Sequence, residues 1–412
     1  MSANPVANPG QFAAEAEVRA MWEQTQTRAA KAHCAQLWRI AHGPEVPPGI
    51  DHLFDPAMDA WISNYLFKAA ARDPAAPRFV RDFMPAYSWR GESVPDARMG
   101  GDNPDNTYRL AGIRHGHAYR VSGQVLPACP AQVSFTLVEN WGTSITCQTI
   151  ELPGITVEED GSFVITIDDQ PANGRPNHMT TNERVKFLFV RDSMMDWAAE
   201  TPLRLEIERV DAKPCAALSF EQRLDEALRR VREEVPLYYW FVRLSSARAP
   251  NTMPQPMRTA SVGGLVTQAT SLGRFHLEDN EAAVVRFHQA GARYNSFQMA
   301  MWWYQSIDAH QRQSGLTYAQ CVPDADGWAT VVVGARDPGH ANWVDTGGLK
   351  DLFPMIRWQG MPEGADPGHT LEIVPFDRLD QVLGPDAPRL DAAGRAGQLA
   401  ARRAAWERRI TP

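Results

Sequence analysis

The sequence predicts a mainly β protein with flanking helices: two tandem antiparallel β-sandwich, jelly-roll-like units joined and covered by helical segments. Three observations carry this. Hydrophobic periodicity changes from helical to alternating at about Tyr108. Turn residues then separate short alternating runs at close, regular spacing. Finally, landmarks of the first β region recur in the second at one constant offset: Val190-Arg191 matches Ile356-Arg357 (357 − 191 = 166), Leu205-Glu206-Ile207 matches Leu371-Glu372-Ile373 (373 − 207 = 166), Asp160-Gly161 matches Asp326-Gly327 (326 − 160 = 166), and Arg120 matches Arg286 (286 − 120 = 166). Such an offset reads as a tandem duplication.

In chain order, residues 11 to 42 read as one long helix, with Phe12, Val18, Met21, Trp22, Leu37 and Ile40 recurring among good helix formers. Gly43 to Gly49 breaks it. A second helix is expected at about Pro56 to Ala71, with Asp55 as N-cap and Pro56 at its first position. Residues 73 to 104, rich in Pro, Gly and Asp, read as an irregular lead-in. Strands are expected at Tyr108–Ile113, Ala118–Gln124, Gln132–Glu139, Ser144–Glu151, Ser162–Ile167, Val185–Arg191 and Leu203–Val210. Ser219 followed by Gln222 marks the start of a linking helix. Pro236 interrupts it before the aromatic run Leu237 to Val242, and residues 245 to 263 form a connection. Alternation returns from about Gly273 to Phe376, and a helix is expected from about Leu390 to Ile410. The resulting boundaries are a helical lead-in at 1–100, a first β unit at 101–212, a linker at 213–265, a second β unit at 266–378 and a C-terminal helix at 379–412.

Composition excludes several functions. The 412-residue chain has a net charge of −8 and no basic block, which argues against nucleic acid as a partner. No run approaches the ~18 apolar residues of a membrane span, and the N-terminus lacks the pattern of a secretory leader, so no membrane partner is expected. Cys34, Cys129, Cys147, Cys215 and Cys321 are odd in number and have no Cys-x-x-Cys spacing. They fit a reducing cytoplasm, not a disulfide frame or zinc site. Nucleotide-binding loops, the Gly-x-Ser-x-Gly elbow and the His-Glu-x-x-His motif are all lacking in the sequence. What remains is chemistry without an organic cofactor, or plain binding.

Several motifs point to a family. Gly-Asp-Asn-Pro-Asp-Asn-x-Tyr-Arg (101–109), Asp-Gly-Ser-Phe (160–163) and Asp-Trp-x-x-Glu-x-Pro-x-x-Leu-x-Ile-Glu-Arg (196–209) lie in the first unit. Val-Pro-Asp-Ala-Asp-Gly (322–327) and Asp-Pro-Gly-x-x-Asn-Trp-x-Asp-Thr-x-Gly (337–348) lie in the second. Over about residues 98 to 378 the chain resembles a bacterial family known as domain of unknown function 1214. Residues 314 to 320 depart from that family's more usual Ser-Leu-Asn-x-x-Gln pattern. The resemblance implies paired β-sandwich modules and, from the bacteria in which members occur, a steroid, terpenoid or aromatic substrate.

The densest cluster of unusual residues is the loop Asp337 to Gly348, whose counterpart in the first unit, Asn177-His178-Met179-Thr180, lacks the Trp and the Asp. His340 beside Asp345 would make an acid/base couple, with Trp343 and Asn342 contacting substrate. Turn capping explains the same residues. Asp105 is a third acid/base candidate. Together with Asp102 it could instead hold Ca²⁺, although the loop lacks the fuller alternation of a calcium site. Tyr294, Gln298 and Trp303 belong to an aromatic stripe that either packs a core or shapes a pocket. Arg191 and Arg357, at matching positions, and Arg109 suit a carboxylate or carbonyl, and Asn106 is a further candidate contact. His115 and His117 read as an exposed turn. The expectation is a cofactor-independent acid/base enzyme (lyase, hydratase, isomerase or hydrolase type) on a hydrophobic small molecule, with a homo-oligomer left open. A non-catalytic ligand-binding or assembly module is the alternative.

Overall fold

The computed structural model describes residues 4–258 and 265–411. The first three residues, where no leader is expected, and residues 259–264 of the expected connection lie outside them. The fold is mainly β, built from antiparallel sheets with helices packed against them.

Helices α1 (Pro9–Trp22), α2 (Thr25–His42) and α3 (Phe54–Ala71) come first. The single helix expected over 11–42 is therefore two. The chain turns extended at Gln24, and the Thr27 hydroxyl donates to the Met21 carbonyl across the break (2.7 Å). Asp55 is not the cap of α3. That helix starts one residue earlier, and Asp55 instead accepts from Arg39 (3.3 Å). Almost every residue of α3 from Ala57 onward is buried, as expected of a helix that is apolar all round. α1, α2 and α4 (Phe220–Glu234) surround it. The capping box at Ser219 and Gln222 forms as its sequence indicates. The aromatic run after Pro236 is helical: α5 spans Tyr239–Ser246. The chain closes with α6 (Leu379–Leu383) and α7 (Ala392–Ile410), the latter capped by Asp391.

The lead-in carries three short strands, β1 (Val80–Asp82), β2 (Tyr87–Trp89) and β3 (Glu92–Val94). The first β unit follows with β4 (Asn106–Gly112), β5 (Tyr119–Gln124), β6 (Gln132–Val138), β7 (Thr146–Glu151), β8 (Ser162–Asp168), β9 (His178–Thr180), β10 (Phe187–Ser193) and β11 (Arg204–Arg209). Its sheets run β1-β4-β10-β6-β7 and β11-β5-β8-β9. One apolar cluster, including Phe135, Phe163, Ile165, Leu188 and Leu205, draws on strands of both sheets and forms the core between them.

The second unit contains β12 (Met257–Arg258), β13 (Ala269–Leu272), β14 (Phe275–His276), β15 (Glu281–Phe287), β16 (Tyr294–Ala300), β17 (Gly315–Thr317), β18 (Ala329–Gly334), β19 (Trp343–Asp345), β20 (Asp351–Gln359) and β21 (His369–Pro375). Its sheets run β12-β13-β20-β16-β17 and β19-β18-β15-β21, again around a core of their own. In both units the short strand of the second sheet, β9 or β19, is the parallel one. Arg191 lies opposite Tyr108 and Ser134, and Arg357 opposite Thr270 and Ser296. Both arginines thus face a serine on the next strand (296 − 134 = 162). No described sheet closes into a barrel.

Strands β4 and β10 are buried along nearly their whole length. One face packs on the sandwich core. The other, with Tyr108, Leu110, Phe187 and Phe189, joins the helical core around α3. That same core takes Ala300, Trp302, Tyr304 and Phe353 from the second unit, so the helices tie the two sandwiches together.

Candidate functional site

A cavity of about 360 Å³ opens between β4 and β10 of the first unit and β13 and β20 of the second. α5 and residues 248–257 and 265–268 border it. Its size fits a small organic molecule. A depression of about 560 Å³ along α2 is larger, but Arg28, Lys31, Arg39 and Asp55 line it and it has no aromatic wall. It is the poorer candidate for an apolar ligand.

Two groups of rings wall the cavity. Phe83, Tyr108 and Phe189 lie on the first side, with Tyr108 stacked on Phe189 at 5.6 Å and tilted against Phe83 at 4.8 Å. Tyr238, Phe241 and Tyr304 lie on the other, with Phe241 5.6 Å from Tyr238 and 6.4 Å from Tyr304.

Several wall residues hold unusual backbone. Phe83 (φ 53°), Thr143 (φ 59°) and Tyr304 (φ 57°) are left-handed without being glycine, a costly conformation for bulky residues that clusters at functional sites. Gly100 and Gly101 are left-handed as well (φ 61° and 74°). Gly101 could not carry a side chain, since a Cβ there would meet the Tyr304 ring at 2.9 Å. Its N–H donates to the Tyr304 carbonyl at 2.7 Å, which fixes that ring's place in the wall.

The polar lining is strongly biased. Arg191, Arg248 and Arg357 line the cavity, with Asp102 as the sole carboxylate. None of the three arginines makes an ion pair among the described residues. The Arg191 guanidinium sits 4.2 Å over the Phe189 ring and donates to Thr136 (3.3 Å). Burial pushes its pKa down to about 10, so it stays charged at neutral pH. Arg357 donates to the Gln298 side chain and to the Gly101 carbonyl (2.5 Å). The Tyr108 hydroxyl feels the charge of both Arg357 and Arg191, although burial raises its pKa overall. Buried guanidinium groups without a carboxylate partner are costly unless something anionic meets them. Asp102 is tied to Ser306, accepting from its N–H (2.9 Å) and its hydroxyl (2.6 Å), and burial raises its pKa. The Asn106 Oδ1 at the wall is buried without a hydrogen-bond partner.

Behind Arg357 lies a buried network that joins the units. Asp105 accepts from Tyr294 (2.5 Å), Gln298 (2.6 Å) and Trp197 (2.9 Å). Asn103 donates to Tyr294 (2.8 Å) and accepts from Gln298 (2.5 Å). Burial raises the Asp105 pKa, while Tyr294 and the guanidinium groups of Arg402 and Arg409 oppose that rise. Four expected site residues, Asp105, Tyr294, Gln298 and Arg357, therefore meet across 252 residues of sequence (357 − 105 = 252). Of the residues singled out from sequence, Asp102, Asn106, Arg191 and Arg357 reach the cavity. The calcium alternative needs Asp102 and Asp105 to converge, yet each is bonded to different partners.

The other expected residues lie elsewhere. Asp345 pairs with Arg312 (3.0 Å) and accepts from the Gly347 N–H (2.8 Å), the geometry of a turn cap. His340 makes no bond to Asp345. Its Nδ1 accepts from the Asn342 N–H (3.2 Å), and burial pushes its pKa down to about 4, too low for a base expected to work near neutrality. Asn342 bridges Val322 and Thr330 backbone groups (2.8–2.9 Å), and Trp343 donates to the Gly334 carbonyl (2.9 Å) beneath Arg395. This loop holds itself together. Trp303 packs between Trp38 and Phe54 in the helical core. Arg109 pairs with buried Asp192 (2.5 Å) and the Leu203 carbonyl. His115 and His117 sit at a turn, but it is not the exposed one expected: His117 is buried against Asp211 (3.2 Å), and His115 is half-buried against Thr181 (3.1 Å).

Sequence reasoning passed over Phe83, Tyr108, Phe241 and Arg248. It also passed over Lys68 and Asp82, which sit behind the wall. Lys68 is fully buried on α3, bonded to Asn64, 3.9 Å from Met99 Sδ and 4.8 Å from the Phe83 ring. Neither carboxyl oxygen of Asp82 has a hydrogen-bond partner. Burial pushes the Asp82 pKa from 3.8 up to about 8, against the pull of Lys68 and Arg191, and pushes Lys68 from 10.5 down to about 8. The raised Asp82 pKa means a contribution to stability that is present below about pH 4 and lost as pH rises through about 8. Asp82→Asn should therefore flatten the fall in melting temperature between about pH 4 and 7, where Lys68 stays charged. An unchanged slope in thermal melts across that window would contradict this.

No family model and no curated protein matches the chain. Among solved structures, it is similar to an uncharacterized protein from Burkholderia cenocepacia, at 23% identity and a TM-score of 0.71, covering 88% of this chain and 100% of that one. A weaker likeness is to the VPA0106 protein of Vibrio parahaemolyticus, at 11% identity and a TM-score of 0.41, covering 78% of this chain and 99% of that one. The first of these likenesses shows a shared fold.

Proposed function

We propose that the protein binds a largely apolar small molecule carrying one anionic oxygen group, of the carboxylate class, in the cavity between the two β units. The observation that carries this reading is the lining. Arg191, Arg248 and Arg357 face an aromatic-walled space with no carboxylate partner among the described residues, and Ser306 occupies the one acid there. An acid head would meet the arginines, and its apolar body would lie against the rings.

A second reading is cofactor-independent acid/base turnover of that molecule, of lyase, hydratase, isomerase or hydrolase type. Asp102 favours it, because this carboxyl stands at the wall with its pKa raised by burial. Asp345 and His340 drop out of that proposal on geometry. Plain binding without turnover is the alternative.

A screen by thermal shift tests both. Matched acids and methyl esters of aromatic, terpenoid and steroid skeletons are offered, and each hit is followed by mass spectrometry. The acids should raise the melting midpoint by mass action and the esters should raise it far less. A mass change in a hit establishes turnover. A response only to sugars or divalent ions would overturn the binding proposal.

Membership of the domain of unknown function 1214 family also remains a proposal, resting on the motifs at 101–109, 160–163, 196–209, 322–327 and 337–348. The shared strand order and the 166-residue offset support a tandem duplication of a jelly-roll-like unit. All five cysteines are free, which supports a cytoplasmic setting.

A further inference from the structure

One stretch of the chain departs from the rest in charge. Between Glu234 and Glu278 lie Arg243, Arg248, Arg258 and Arg274, and no aspartate or glutamate, in a chain of net charge −8. Arg243 and Arg274 keep long ion pairs to Glu45 and Asp351 (3.9 and 3.8 Å), whereas Arg258 is exposed with no ion pair among the described residues.

The same stretch contains α5 and the helical turn before it, Val235–Tyr238. Leu237, Trp240, Phe241 and Leu244 follow the i, i+3, i+4, i+7 spacing of one helical face. A helix on a globular body normally turns that face inward. Here the inward residues are Val242 and Ser245, and the four large apolar side chains are 57%, 49%, 46% and 65% exposed. Met257, 63% exposed, continues the ridge. Phe241 and Met257 also line the cavity, so the ridge is continuous with the cavity's mouth.

We infer that this ridge docks on an anionic phospholipid surface, with the cavity mouth facing the lipid. Trp, Leu and Phe on one side of a helix, with arginines and no acid in the same stretch of chain, are what seat a segment at the headgroup boundary. The charge complements an anionic leaflet and opposes the sign of the chain as a whole. No helix among the described residues is long and apolar enough to cross a membrane, so the contact is a surface one. This departs from the sequence expectation of no membrane partner. Docking itself needs no ligand. Only its purpose, uptake of a lipophilic acid dissolved in the lipid, rests on the function proposed above.

Co-sedimentation of the full chain with vesicles tests it. Protein should pellet with phosphatidylcholine vesicles containing phosphatidylglycerol, pellet little with phosphatidylcholine alone, and be released by salt. The double variant Trp240→Ser/Leu244→Ser changes only exposed side chains outside the cavity and should lower the partition coefficient at least about tenfold. Arg243→Gln/Arg258→Gln should lower it on anionic vesicles too, which keeps the test decisive if the first variant folds poorly. Arg191→Gln should pellet like the wild type, so failure of the cavity proposal and failure of docking are separable. No pelleting, or equal pelleting of wild type and both double variants, overturns the inference. So would a dimer in sedimentation velocity that Trp240→Ser/Leu244→Ser dissolves, since the ridge would then belong to a second copy of this chain.

Discussion

Arg191→Gln is expected to weaken binding of a lipophilic acid roughly ten- to a hundred-fold while leaving the fold intact. A hydrogen bond to a charged group contributes about 1.5–3 kcal/mol, which sets that range. Arg191 is the informative choice among the three arginines. Its one described side-chain hydrogen bond is the 3.3 Å contact to Thr136, and the rest of the guanidinium lies over the Phe189 ring. Glutamine keeps length and polarity and removes the charge. Arg357 would be a poorer test because it also holds Gln298 and the Gly101 carbonyl, so its loss would disturb the loop as well as the ligand. A binding loss in Arg191→Gln with an unchanged melting temperature would mark a ligand contact. A lower melting temperature with unchanged affinity would mark a structural arginine.

Asp105→Ala is expected to cost about 3–5 kcal/mol of stability, the range for breaking a buried charged network by removing one member. It would strand three donors at once: the Tyr294 hydroxyl, the Gln298 amide and the Trp197 indole N–H. Those donors belong to both β units and to the segment that packs on α7, where Trp197 meets Trp406 at 5.9 Å. Asp105→Asn should lose less, because an amide still offers an oxygen to two of the donors. Urea unfolding of the three proteins checks the order. If Asp105→Ala unfolded with the wild type, the network would not hold the units together. If it stayed folded but lost turnover of an identified substrate, Asp105 would return as the acid/base group expected from sequence.

Much of the fold was legible because alternation is local. The strands of the first unit other than β9, which was not expected, fall within a few residues of their expected places, and the capping box at Ser219 formed as its spacing indicates. The break between α1 and α2 was invisible because Glu23-Gln24 carries neither glycine nor proline. The site was legible only in part. Arg191 and Arg357 stood out as matched charges on apolar strands. Asp105, singled out as an acid/base candidate, and Tyr294 and Gln298, singled out as part of an aromatic stripe, prove to be bonded to one another. The loop at 337–348 misled for a physical reason: His, Asn, Trp and Asp that satisfy a loop's own backbone have the same composition as a binding site. The cavity walls were hardest. Phe83, Tyr108, Tyr238 and Tyr304 come from the lead-in, a strand, a helical turn and a loop, and no local pattern records their convergence.

Calorimetric titration of one lipophilic acid and its methyl ester, into wild type and Arg191→Gln, tests the central claim most directly. The expected result is that the acid binds the wild type at least about tenfold more tightly than the ester, and that the gap shrinks in the variant. Equal affinity for acid and ester, or a gap that Arg191→Gln leaves untouched, would contradict a cavity built to hold an anion.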